Sequence, residues 1–152
     1  MSSSWATETT RNYNGQVVYP FCMVKAANYI RIDPDILLSI YKIEGGKTGL
    51  VSINRNRTFD MGPMQVNSSW LHRFNPRLGI TKSKLINDGC VNVMASAIIL
   101  RYYINRAHSV WRGVGNYHSH TPKYHNRYRG KVWRTYKRIK ASHYKGLYAR
   151  NN

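Results

Sequence analysis

The chain has 152 residues, of which 24 are Lys or Arg and only six are Asp or Glu, giving a formal net charge of +18 at pH 7. This length suits one domain with one core, and no apolar run approaches the roughly 20 residues of a membrane-spanning helix. Aromatic residues make up 12 % of the chain, which argues against intrinsic disorder. The excess positive charge favours a polyanionic partner: nucleic acid, anionic lipid or an anionic cell-wall polymer.

The predicted elements are mostly helical, after an irregular N-terminal arm over residues 1–20. Asp33 as N-cap and Pro34 at the first helical position predict a helix that ends at the glycine pair 45–46. Residues 47–62 are rich in Asn, Arg, Thr and Gly and predict a loop or small hairpin. Apolar periodicity predicts the remaining helices over residues 21–29, 64–74, 89–107, 111–117 and 123–140. We expect one domain over 21–145 and a basic C-terminal tail over 146–152.

The two cysteines, Cys22 and Cys90, are far apart and lack metal-type spacing. An even pair is compatible with one disulfide in an oxidising compartment, and equally with two buried thiols. The N-terminus has no apolar segment of the kind that a secretory signal peptide requires. The cysteines and the N-terminus therefore leave the compartment and the export route open.

Glu44 lies at the C-terminal end of the predicted helix over 34–44. The apolar residues of this helix should face the core, so the carboxyl is expected to be partly desolvated. Desolvation and the negative end of the helix dipole both favour the protonated form and raise the pKa of Glu44. A carboxyl protonated near neutral pH is what general acid catalysis on a glycosidic oxygen requires. The alternative is an ordinary ion pair with one of the many basic residues.

Two further motifs follow Glu44 in the chain. Gly62-Pro63-Met64-Gln65-Val66-Asn67 begins eighteen residues later, and Gly115-Asn116-Tyr117-His118-Ser119 with Thr121-Pro122 lies downstream. A Glu at a helix end followed by these motifs resembles the soluble lytic transglycosylase family over residues 21–130. The sequence is most similar to the small specialised enzymes of conjugation, type III secretion and pilus systems, which share Ile-Asp-Pro before the catalytic helix. Gly45 and Pro63 depart from the Ser and Leu that are usual in the family.

The resemblance implies a mainly α, goose-type lysozyme-like domain with a small loop or hairpin lobe. It implies that Glu44 protonates the bond between N-acetylmuramic acid and N-acetylglucosamine and then acts as base in forming a 1,6-anhydro end. Tyr117 would hydrogen-bond near Glu44 and help to orient it, and Cys22 would pair with Cys90. Trp70 suits either the core or a sugar-stacking wall, whereas Tyr102, Trp111 and Trp133 suit the core. The residues expected to contact or support the glycan are Gly62, Met64, Gln65, Asn67, His118 and Ser119.

The implied partners are peptidoglycan glycan strands and an envelope-spanning secretion, conjugation or pilus machinery, in the periplasm or cell envelope. We expect no cofactor. His118, His120 and His125 invite a metal site, but no Cys or carboxylate completes the group, so no metal is expected.

Three alternatives stay open at this point. Asp60 could be a second catalytic carboxylate that permits lysozyme-type hydrolysis, or a loop residue that caps Gly62 or pairs with Arg55 or Arg57. The segment 123–145 interleaves nine basic residues with aromatic ones, as a nucleic-acid-binding module would; this function gives no reason for Glu44 and the two motifs. An inactive scaffold that binds glycan or a partner protein is the third alternative.

Overall fold

The computed structural model describes residues 10–11, 17–18 and 20–150, with side chains over 21–143 and at 145. Most of the predicted arm over 1–20 lies outside the described residues; the described part forms two short antiparallel strands, β1 (Thr10–Arg11) and β2 (Val17–Val18). The last helix continues through the expected start of the C-terminal tail, and residues 151–152 lie outside the described part.

The described chain is mainly helical, as predicted, with a small sheet between the second and third helices. The helices are α1 (Pro20–Ile30), α2 (Pro34–Glu44), α3 (Lys82–Asn87), α4 (Gly89–Ala107), α5 (Val110–His118) and α6 (Pro122–Arg150). The sheet contains β3 (Val51–Ile53), β4 (Phe59–Met61) and β5 (Val66–Asn67), and 3₁₀ turns span Ser68–Arg73 and Pro76–Leu78.

Helix α2 begins and ends where its sequence predicts. The Asp33 carboxylate accepts a hydrogen bond from the Asp35 N–H (3.0 Å) and caps the N-terminus. At the other end Gly45 takes the left-handed conformation (φ 63°) and its N–H donates to the Tyr41 carbonyl (3.1 Å). Gly45, a departure from the family pattern, thus suits the backbone that ends the helix directly after Glu44.

The predicted hairpin forms between β3 and β4, and β5 adds a third antiparallel strand. The prediction of a helix over 64–74 is wrong, because this stretch contains β5 and a 3₁₀ turn. Within this stretch Gln65 (φ 50°) has left-handed backbone, which an α-helix cannot contain, and Gly62 (φ 70°), just before the stretch, has it too. Asn67 then caps the 3₁₀ turn by accepting from the Ser69 N–H (3.0 Å).

Helix α4 is the centre of the domain and packs against α1, α3 and α5, while α6 packs against α2 and α5. The disulfide implied by the resemblance is present: Cys22 in α1 is bonded to Cys90 in α4. It joins residues 68 positions apart, for which the loss of chain entropy in the unfolded state gives about 4 kcal/mol of stabilisation. The bond fixes α1 to α4, on which much of the candidate site is built.

Candidate active site

A cleft of about 430 Å³ lies between the hairpin lobe and helices α4 and α5. Glu44 and side chains from both of the motifs that follow it reach this cleft, so the fold brings together residues that are far apart in the sequence. Its lining residues are Glu44, Asp60, Gln65, Val66, Asn67, Trp70, Ile99, Tyr103, Tyr117 and His118.

Glu44 lies in this cleft as the last residue of α2. Burial raises the pKa of Glu44, and the negative charge of Asp60 acts in the same direction, whereas a hydrogen bond from Tyr128 acts against them. The raised pKa agrees with the expectation from the sequence. Among the described side chains Glu44 forms no ion pair with a basic residue. A carboxyl with a raised pKa beside a cleft has properties that a general acid needs.

The hydrogen-bond partner of Glu44 is Tyr128 in α6. The Tyr128 hydroxyl donates to Glu44 Oε1 at 2.8 Å, and the Tyr128 side chain is only 5 % exposed. The nucleic-acid alternative requires the aromatic residues of segment 123–145 to be available for base stacking, and the buried Tyr128 is not. Its spacing from Val132, four residues on and also buried, is the helical core pattern that could have identified it.

Tyr117, which we expected to hydrogen-bond near Glu44, has other partners. Its hydroxyl lies 2.8 Å from the Ser96 hydroxyl and donates at 3.5 Å to the Met64 carbonyl. Burial is the main reason that the pKa of Tyr117 is raised, and the charge of Glu44 adds to it. Tyr117 therefore lines the cleft as a neutral phenol that links α4, α5 and the 62–65 loop.

Asp60 lies on β4 and faces the same cleft as Glu44. Its two oxygens accept hydrogen bonds from Asn67 (2.8 Å) and from Asn54 (3.0 Å). The pairing with Arg55 or Arg57, one of the alternatives for Asp60, is absent among the described residues. The carboxylate is thus held by two amide groups in the wall of the cleft.

The loop over residues 62–65 is fixed by Asn92, a fully buried residue of α4. Its amide donates to the carbonyls of Met61 (2.7 Å) and Leu85 (2.9 Å), and its oxygen accepts from the Met64 N–H (2.8 Å). A Cβ at Gly62 would collide with this amide, so the loop requires glycine there. Asn92 was not predicted from the sequence, although it lies two residues after Cys90, for which a disulfide was expected.

The six residues expected to contact the glycan divide into two groups. Gln65, Asn67 and His118 line the cleft. Gln65 also donates to the Gly62 carbonyl (2.9 Å), so it both braces the loop and borders the cleft. The other three do not line it: Gly62 and Met64 are buried within the loop over residues 62–65, and Ser119 accepts a hydrogen bond from the Thr121 N–H (3.1 Å).

The ring of His118 stacks on Tyr128 with the centroids 4.6 Å apart and the planes at 6°. Burial lowers the pKa of His118, and the positive charge of Lys131 acts in the same direction. Over the part of the chain that the structure describes, no three His, Cys, Asp or Glu side chains form a group that could hold a metal ion.

Of the aromatic residues assigned above, Trp70 lines the cleft, packed edge to face against Tyr102 and Tyr103. The expectation of a core position is wrong for Tyr102 and Trp133, which are 37 % and 41 % exposed. In residues 20–150, no helix is both long and apolar enough to span a bilayer.

The chain matches the transglycosylase SLT domain over residues 21–141. It is 32 % identical over 124 residues to the invasion protein IagB of Salmonella typhimurium, covering 78 % of this chain and 77 % of the relative. It is 29 % identical to the protein IpgF of Shigella flexneri (79 % of this chain, 82 % of the relative) and to an X polypeptide of Escherichia coli (80 % and 75 %). The predicted mainly α, lysozyme-like fold is confirmed by this match. The chain therefore belongs to the transglycosylase SLT domain family, the lytic transglycosylases that act on peptidoglycan.

Proposed function

We propose that Glu44 is the single catalytic acid and base of this lytic transglycosylase, and that it cleaves the β-1,4 bond between N-acetylmuramic acid and N-acetylglucosamine. The observation that carries the proposal is the Glu44 carboxyl itself, which borders the cleft, has a raised pKa and accepts its only hydrogen bond from Tyr128 among the described residues. A family member with this arrangement needs no second catalytic carboxylate if the substrate supplies the nucleophile.

In the first half of the proposed reaction, Glu44 gives its proton to the glycosidic oxygen as the bond from that oxygen to C1 of the muramoyl residue breaks. The N-acetylglucosamine leaves with a free 4-hydroxyl. In the second half, the C6 hydroxyl of the same muramoyl residue bonds to C1 and its proton passes to Glu44. The product is a 1,6-anhydro end, the carboxyl is again protonated, and no water is consumed. An internal nucleophile is already close to C1, which favours ring closure over attack by a water molecule.

The groups around Glu44 support its role as acid in the first half of the reaction and as base in the second. The Tyr128 hydroxyl can stabilise the carboxylate that exists between the two proton transfers, because a hydrogen bond to the charged form favours it. The charge of Asp60 in the same cleft favours the protonated form and can stabilise positive charge that develops at C1. With both of its oxygens held by asparagine amides, Asp60 is better suited to this electrostatic role than to bonding with the sugar.

Digestion of purified peptidoglycan, followed by mass determination of the released muropeptide ends, tests the proposal. We expect anhydro ends from the native enzyme, no release by Glu44→Gln, and anhydro ends at a reduced rate from Asp60→Asn. Reducing ends from the native enzyme would instead assign lysozyme-type hydrolysis with Asp60 as the second carboxylate. Loss of turnover in Asp60→Asn as complete as in Glu44→Gln would contradict the single-carboxylate mechanism.

We further propose that cleavage opens the wall locally for a secretion, conjugation or pilus apparatus, with the enzyme acting in the periplasm. The likeness to an invasion protein supports this context, and the disulfide suits an oxidising compartment. Nucleic-acid binding by α6 is disfavoured, because Tyr128 and Tyr136 point inward to hydrogen-bond carboxylates of α2. Tight, salt-sensitive duplex binding by Glu44→Gln would contradict that conclusion.

A further inference from the structure

Three aromatic side chains form one wall at the edge of the cleft: Trp70 from the 3₁₀ turn, and Tyr102 and Tyr103 from α4. The ring centroids are 5.3 to 5.7 Å apart, and each pair packs edge to face. Trp70 and Tyr103 also line the cleft beside Glu44. We call these three residues the aromatic wall. Each of its rings packs against the other two, and one of its ends borders the cleft that contains Glu44.

Two arginines lie against the faces of this wall. The Arg73 guanidinium is 5.1 Å from the centre of the Trp70 ring, and the Arg106 guanidinium is 5.5 Å from the centre of the Tyr102 ring. Arg73 also lies near the Tyr103 hydroxyl: burial and Tyr102 raise the pKa of Tyr103, and the charge of Arg73 opposes them. A guanidinium that stacks on an aromatic face keeps the N–H donors at its edge available for hydrogen bonds.

Among the side chains that the structure describes, no carboxylate forms an ion pair with Arg73 or Arg106. Both are exposed. Two exposed guanidinium groups that stack on the aromatic wall, with no ion pair among the described side chains, form a site for carboxylates, which a planar guanidinium can bind through two parallel hydrogen bonds. In intact peptidoglycan the sugars carry no charge, whereas the peptide stems carry free carboxylates.

We propose that Arg73, extended by Arg106, forms a binding site for stem-peptide carboxylates and makes the enzyme prefer glycan strands that carry charged stems. This proposal rests on the proposed function, because the stems approach the wall only if the glycan occupies the cleft beside Glu44. The guanidinium groups take no part in bond cleavage. They bind and orient a substituted strand, so their effect should appear mainly in KM and should weaken as salt is added.

The test compares two substrates made from one preparation of peptidoglycan freed of attached anionic polymers. In one the stem carboxylates remain free, and in the other they are converted to amides with carbodiimide and ammonia. At low salt we expect the native enzyme to cleave the charged substrate about two- to fivefold more efficiently, the scale of an exposed ion pair. Arg73→Gln should lose this preference and cleave both substrates at the rate that the native enzyme shows on the amidated one.

Two control variants keep the result specific. Arg77→Gln removes an exposed charge from the next 3₁₀ turn, away from the cleft lining, and should keep the native preference. Arg73→Lys retains the charge and should keep part of the preference. Equal cleavage of both substrates by the native enzyme, an unchanged preference in Arg73→Gln, or an equal loss in Arg77→Gln would each overturn the proposal while leaving the proposed function intact. Failure of the proposed function is distinguishable, since the native enzyme would then cleave neither substrate or would release reducing ends in place of anhydro ends from both.

Discussion

Helix α2 has a carboxylate at each end, and helix α6 supplies a tyrosine hydroxyl to both. At the N-terminal end, Tyr136 donates to Asp33 at 2.8 Å, and Lys140 forms ion pairs with Asp33 (2.7 Å) and Asp35 (2.9 Å). At the C-terminal end, Tyr128 donates to Glu44 at the same distance, with no cation beside it among the described residues. The two helices therefore run antiparallel, and two carboxylates with similar phenol partners lie in different surroundings.

The surroundings shift the two pKa values in opposite directions. At Asp33 burial acts upward, but the hydrogen bonds from Lys140, from the Asp35 N–H and from Tyr136 together lower its pKa. At Glu44 burial prevails over the hydrogen bond from Tyr128, and the pKa rises. At Glu44 the hydrogen bond from a phenol thus does not offset the effect of burial on the pKa, whereas at Asp33 the ammonium group of Lys140 adds to the phenol and the net shift is downward. One end of α2 forms ion pairs with α6, and the other places a carboxyl with a raised pKa beside the cleft.

Removing the acid at the C-terminal end should have the largest effect. We expect Glu44→Gln to lower turnover of peptidoglycan by about 10² to 10⁴-fold, the range of general acid–base catalysis. Asp35→Asn at the other end of α2 is the matched control and should stay within about twofold of the native rate, because Asp35 lies outside the cleft. The rate of muropeptide release from peptidoglycan measures the turnover of both variants. Similar losses of turnover in the two variants would contradict the conclusion that only the carboxylate at the C-terminal end of α2 is needed for catalysis.

Removing the phenol at the C-terminal end should shift the pH profile. The Tyr128 hydrogen bond lowers the pKa of Glu44, so Tyr128→Phe should raise that pKa further and move the alkaline limb of the rate profile to higher pH. We expect the maximal rate to fall about tenfold, since the carboxylate formed during turnover loses a charge-assisted hydrogen bond. Tyr124→Phe, at an exposed position of the same helix, should leave the profile unchanged. A shift to lower pH in Tyr128→Phe would contradict this assignment.

Removing the second charge near Glu44 should shift the profile the other way. The negative charge of Asp60 raises the pKa of Glu44, so Asp60→Asn should lower that pKa and move the alkaline limb to lower pH. We expect a smaller loss of rate than in Glu44→Gln. A pH–rate series on soluble glycan chains measures the shift, and an unchanged limb would show that the two carboxylates are electrostatically independent.

The smallest expected effects concern stability, and they should have opposite signs at the two ends. Asp33 has a lowered pKa, so its ionised form stabilises the fold above the unfolded pKa, and this contribution is lost as the pH falls through the folded pKa. Glu44 has a raised pKa, so its charge destabilises the fold at neutral pH, and the penalty disappears in acid.

Urea unfolding at pH 7 should therefore show Asp33→Asn about 0.5 to 1 kcal/mol less stable and Glu44→Gln slightly more stable than the native protein. Asparagine still caps the helix, so the loss at Asp33 reports the ion pair with Lys140. Both differences should shrink below about pH 4. Destabilisation of Glu44→Gln at neutral pH would contradict the opposite roles of the two ends.

The sequence predicts α2 and its ends well because the signals are local. Asp33-Pro34 and Gly45 act within one turn of the backbone, and the apolar spacing between them defines the buried face. The helix over 64–74 is predicted wrongly for the opposite reason. Its apolar residues have helical spacing, but the backbone there is set by partners distant in the chain, above all the Asn92 amide from α4.

The sequence by itself therefore determined the mainly α fold, the bounds of α2 and the place of Glu44 at a helix end next to a motif-bearing loop. Tertiary structure decided which groups surround that carboxyl. Tyr128 is 84 residues away and replaces Tyr117 as its hydrogen-bond partner, and Asp60 is held by amides and not by the arginines that were one alternative. A pKa depends on burial and on charges in space, and neither quantity is encoded in local spacing. The packing of α6 along α2 is what separates two similar carboxylates into one that stabilises and one that can react.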